Sequence, residues 1–125
     1  MAMMKIENAG TVDLKLEVVV VPVSDVDRAK AFYEKLGFRL DVDYARDVDH
    51  RLVQFTPPGS ETSIHIAKGI TSAAPGSRRN VYLVVSDIEK ARTDLERRGI
   101  TVSEVFYHDG LLGPVATGPD PKRAT

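Results

Sequence analysis

Two stretches of the chain repeat one another without a gap. VSDVDRAKAFYEKLGF, from Val23 to Phe38, lies over VSDIEKARTDLERRGI, from Val85 to Ile100, at a constant offset of 62 residues. Val-Ser-Asp opens both copies; Val26 stands over Ile88, Asp27 over Glu89 and Arg28 over Lys90. Ala29 recurs as Ala91, Glu34 as Glu96 and Gly37 as Gly99. Two copies at so long a period indicate duplication of one supersecondary unit rather than a solenoid array. The chain must therefore fold as two related modules, and each expectation for the first can be tested on the second.

Each copy reads as strand, helix, then further strand. Val18 to Val21 and Val81 to Val85 are β-branched runs of buried-strand length. Ser24 and Ser86 are the expected N-caps, with Asp27 and Glu89 three residues on; Glu89 makes the better capping box. Val26, Ala29, Phe32, Tyr33 and Leu36 form one apolar stripe. Ile88, Ala91 and Leu95 form a narrower one, so each helix is expected to pack one face on a sheet. Gly37 and Gly99 supply left-handed helix ends.

In module one a strand is expected over Phe38 to Val42, a charged stretch over Tyr44 to Arg51, and a strand over Leu52 to Phe55. Pro57-Pro58-Gly59 marks a turn, and Thr62 to Ala67 alternates as a fourth strand. The unit is βαβββ. Module one spans about 12–70 and module two about 80–125, with Ala73 to Arg79 as linker and residues 1–10 as a loose lead-in. At the same offset the counterpart of the fourth strand begins at Ala124, so the second module is expected to lack it. Leu112 to Pro121 is rich in Gly and Pro, which puts even its third strand in doubt. The fold class is α+β: two tandem βαβββ modules making a curled mixed sheet around a pocket.

Composition narrows the functional classes. At 13.7 kDa a single domain buries roughly two-thirds of its unfolded surface, enough for an ordinary core. The absence of cysteine excludes disulfides and thiolate catalysis and suits a reducing compartment, the cytoplasm by default. Seventeen basic and 18 acidic residues are interspersed, which argues against nucleic acid as a partner. The longest apolar run, Val18 to Val23, is six residues, far short of the roughly 20 that span a bilayer. No signal-peptide pattern, nucleophile elbow or glycine-rich phosphate loop is present.

The repeated VSDVDRAKAFYEKLGF motif resembles the signature of the glyoxalase/bleomycin-resistance/dioxygenase (vicinal-oxygen-chelate) superfamily, a similarity covering roughly Leu14 to Val105. The resemblance implies paired βαβββ modules enclosing a cavity, a small-molecule ligand, homodimerisation and, in many members, a divalent metal. In metal-dependent members a His or Gln stands about six residues before the Asp of each helix motif. Here those positions are Val19 and Val81, which offer no lone pair. Shifting to Glu17 or Asn80 reverses the strand face and is not favoured. The fourth-strand ligand lines up near His65, the only candidate for metal.

Among individual residues, His65 points opposite Ile64 and Ile66, and Gln54 between Val53 and Phe55 can share its face. They suit ligand contact, against the plainer reading of sheet-surface polar groups. Tyr107 and His108 before Asp109-Gly110 combine a titratable ring with a flexible loop, or simply a turn. His50 sits among charges facing solvent, and Arg78-Arg79 is more simply a solvated surface than an anion site. Three functions remain open: a metal-free binding or sequestration protein, favoured by the valines; a metal-dependent lyase, isomerase or dioxygenase; and a non-enzymatic dimerisation or regulatory module.

Overall fold

The computed structural model describes residues 12–78, 81–109, 113–118 and 121. They fall into two compact units, one of Leu14–Tyr82 and the other holding the described residues from Leu83 onward. The lead-in expected at 1–10, together with Arg79, Asn80 and Gly110, lies outside the described residues.

The first unit is the expected βαβββ module: β1 (Val18–Pro22), α1 (Val26–Lys35), β2 (Arg39–Asp47), β3 (His50–Thr56) and β4 (Ser63–Lys68). Its four-stranded sheet has the order β1-β4-β3-β2. β1 runs parallel to β4, and the other two pairings are antiparallel. Strand alternation sends Val53, Phe55, Ile64 and Ile66 to one side, where they bury against Val26, with Ala29 and Tyr33 of α1 packed on them. Tyr33 meets Phe55 with ring centroids 5.7 Å apart. Burying one such side chain fully contributes about 1.5–3 kcal/mol, so this helix-facing half of β3 and β4 carries most of the unit's cohesion.

The charged stretch Tyr44 to Arg51 is the tip of a hairpin. β2 runs on to Asp47 and β3 restarts at His50, because the charges are matched in place. Arg51 makes a fork to Asp43, at 3.0 Å from Nε and 2.8 Å from Nη2, and reaches Asp27 of α1 with Nη1 at 2.6 Å; Lys30 of α1 adds 2.9 Å to Asp43. Sandwiched between two cations, Asp43 has its pKa lowered to about 2, chiefly by the Arg51 hydrogen bonds and then by Lys30. At the turn, Asp47 Oδ1 accepts from the Asp49 amide at 2.9 Å and pairs with His50 Nδ1 at 2.7 Å, so His50 is a turn-fixing group rather than a free solvent histidine.

Both helices cap one residue later than expected. Asp25 and Asp87, not Ser24 and Ser86, have extended N-cap backbones, and their carboxylates accept from the Arg28 and Lys90 amides at 3.0 and 3.1 Å. An aspartate also places a full negative charge at the positive helix end, which a serine cannot. The exits repeat as well: Phe38 N donates to Tyr33 O and Ile100 N to Leu95 O around Gly37 (φ 87°) and Gly99 (φ 79°).

The second unit holds α2 (Ile88–Arg97), β5 (Phe106–His108) and β6 (Val115–Thr117), the last two forming an antiparallel pair. The doubtful third strand thus exists, but only three residues long. Two expectations fail. Val81–Val85 is not a strand: its counterpart β1 is held by parallel pairing to β4, and no described residue pairs with 81–85. Nor does α2 bury a face; Ala91 and Leu95 are half-buried, Ile88 is exposed, and the two-stranded β5-β6 sheet is too small to cover them.

Candidate functional site

The side of the first unit's sheet away from α1 is set by register. On β3 and β4 the residues alternating with the core are Leu52, Gln54 and Thr56, and Ser63, His65 and Ala67. Gln54 and His65 are direct cross-strand partners, so both leave the sheet on one side, as the alternation predicts. Gln54 Oε1 lies 2.8 Å from His65 Nε2.

Behind this pair stands Asp41, which strand periodicity does not pick out. Leu40 is opposite Phe55 and Val42 opposite Gln54, leaving Asp41 as an extra residue in a β-bulge. A bulge re-aims a side chain that regular pleating sends elsewhere. Here it turns the Asp41 carboxylate across β3. Oδ2 accepts from Gln54 Nε2 at 3.1 Å and from the Thr56 hydroxyl, and Oδ1 accepts from Arg39 Nε at 2.6 Å. These bonds, Thr56 first and then Arg39 and Gln54, bring the Asp41 pKa down to about 2, so it is an acceptor and an anion at neutral pH. Thr56 Oγ1 is 2.7 Å from Ser63 Oγ. With its one proton given to Asp41, Thr56 must accept from Ser63. Thr56 and Ser63 were findable from the same alternation that exposed Gln54 and His65; Asp41 was not, because the bulge breaks the period.

Apolar residues surround the polar cluster. Val18 pairs with Ser63 and Val20 with His65 on β1, while Val42 and Tyr44 face Gln54 and Leu52 from β2. This register corrects the expected ligand position. Val19 is opposite Ile64 and so belongs to the helix side; the residues beside His65 are Val18 and Val20. They are valines too, and the chemical conclusion is unchanged. The residues do not fit a divalent cation: the β1 neighbours of His65 have no donor atoms, and among the described residues no group of three His, Asp or Glu side chains is placed to hold one.

The other candidates stand elsewhere. Tyr107 and His108 are on β5 in the second unit. His108 Nδ1 lies 3.2 Å from the Gly113 carbonyl and can meet it only as a donor, which ties the ring to the β5–β6 connection. Arg78 Nε donates to Val20 O at 3.2 Å, so that arginine secures the outer edge of β1. A recess of about 360 Å³ lies beside the first turn of α1, lined by residues that include Val23, Asp25, Phe32 and Gly76. Its carboxylate is spent on the helix cap. The face carrying Gln54 and His65 therefore remains the better candidate, because several polar groups converge there beside Val18, Val20, Val42 and Leu52.

The model of the Glyoxalase/Bleomycin resistance protein/Dioxygenase superfamily matches residues 15–117. The chain belongs to this superfamily. Among solved structures it is similar to TnmS3, an antibiotic binding protein from Streptomyces sp. CB03234, at 34% identity over 70% of this chain and 72% of that one, with a TM-score of 0.59. A glyoxalase/bleomycin resistance protein from the same Streptomyces is 35% identical over 68% and 75%, TM-score 0.57. A superfamily member from Sphaerobacter thermophilus DSM 20745 is 28% identical over 84% and 86%, TM-score 0.63. No curated protein matches the chain. Among the described residues of this glyoxalase-superfamily protein, no helix is long and apolar enough to cross a membrane.

Proposed function

We propose that this chain binds a small, largely apolar organic molecule on the sheet face away from α1, by metal-independent capture, with Gln54 and His65 as its polar anchors. The observation that carries the reading is the Gln54–His65 pair, braced by Asp41 and ringed by Val18, Val20, Val42, Tyr44 and Leu52. Apolar walls supply binding free energy while a few fixed polar groups supply orientation. The similarity to an antibiotic binding protein supports a capture role, and the valines beside His65 disfavour metal-assisted chemistry.

The test is a titration of the isotopically labelled protein with a panel of hydrophobic antibiotics, followed by amide shifts and by analysis of the recovered compound. Saturable binding that shifts Val20, Gln54 and His65 and returns the compound unaltered is the expected result. Shifts confined to other segments, or conversion of the compound, would overturn it. Replacing His65 by Leu should weaken the binding about tenfold or more, the effect of leaving buried polar partners unmatched.

A further inference from the structure

The cluster around Asp41 has a fixed hydrogen-bond direction, and that direction decides what His65 can offer. An ionised carboxylate only accepts, so the Gln54 atom facing Asp41 must be the amide nitrogen. The amide oxygen is thereby turned to His65, 2.8 Å away, and accepts from Nε2. In the neutral ring the proton then sits on Nε2, and Nδ1 holds a lone pair. No described residue bonds to Nδ1 of His65.

Resting on the binding reading above, we infer that this face selects ligands carrying a strong hydrogen-bond donor, a phenolic or enolic hydroxyl, which His65 Nδ1 accepts, and discriminates against their ethers and against carboxylates. The donor requirement follows from the tautomer. Neutral imidazole is the most basic acceptor in the cluster, and an acidic hydroxyl is its best complement. A carboxylate brings a second anion toward Asp41 and has no proton for Nδ1. The rest of the face, Val18, Val20, Val42, Leu52 and the Tyr44 ring, suits a flat conjugated body around that hydroxyl.

Two measurements test this on the intact chain. Long-range ¹⁵N–¹H correlation of the His65 ring, at about pH 8.5 where ordinary imidazoles are neutral, should show the proton on Nε2. Binding of 2-naphthol should exceed that of its methyl ether by about tenfold, the ratio one well-made hydrogen bond gives. His65→Phe should reduce that ratio to about one, and Asp41→Asn, which frees the Gln54 amide to turn, should mix the tautomers. A ring protonated on Nδ1, or equal binding of naphthol and ether, overturns the selectivity and leaves the binding reading standing. No saturable binding of either probe, and no shift of Val20 or Gln54, overturns both. Should His65→Phe fail to fold, the tautomer and the probe ratio of the unsubstituted protein still decide.

Discussion

Asp41 takes three side-chain donors on two oxygens, which makes its ionisation a stability term with a definite sign. Its pKa falls from 3.8 to about 2 on folding. A carboxyl depressed in the folded state contributes stability above its unfolded pKa and loses it as pH drops through the folded one. The contribution is therefore full above about pH 4 and disappears toward pH 2. Asp43, also brought to about 2 by Arg51 and Lys30, acts in the same window. Asp41→Asn should be less stable than the parent at neutral pH and show a shallower fall in urea midpoint between about pH 5 and pH 2, with Asp43 and Asp47, whose pKa is also lowered, chiefly by its bond to His50, contributing to the remaining slope. An acid limb superimposable on the parent's would show that Asp41 is not held as described.

At the scale of elements, the exit from β4 is a tightly constrained turn. Gly69 has φ 74°, and a Cβ there would stand 2.2 Å from Asp49 O and 2.9 Å from His50 Cδ2. Gly59, in the Pro-Pro-Gly turn, has φ 76° with nothing within 4 Å. Gly59→Ala meets only the left-handed backbone penalty, about 1–2 kcal/mol. Gly69→Ala adds a backbone clash and should cost clearly more, displacing the amide signals of Asp49 and His50; equal losses in denaturant midpoint would refute the contact. Most of these elements were legible in the sequence. Periodicity located both helices and the four strands of the first module, and the repeat located the helix ends. What it misjudged depended on partners. The serines looked like caps because residue type was read without backbone angle, and Val81–Val85 looked like a strand because β-branched composition says nothing about what lies alongside. In the site, alternation revealed Gln54 and His65, whereas Asp41 needed a bulge that no period contains.

Across the whole molecule the two units differ in how much they bury. Val53, Phe55 and Ile66 are fully enclosed in the first, whereas α2 has no buried residue in the second. Local opening follows buried apolar contact, so native-state hydrogen exchange should be slowest in β3 and β4 and markedly faster in α2 and in the β5–β6 pair. Protection of α2 equal to that of β3 would contradict this gradient.

The bulge at Asp41 also separates scaffold from site in an unusual way. Leu40 faces Phe55 and Val42 faces Gln54, so removing residue 41 alone joins two positions that are already consecutive in the ladder and leaves every facing unchanged. A shortening of the chain by one residue at this point therefore strikes recognition while leaving the ladder in register. A gene that lost that single codon would still encode the same sheet, without the acid that orients Gln54.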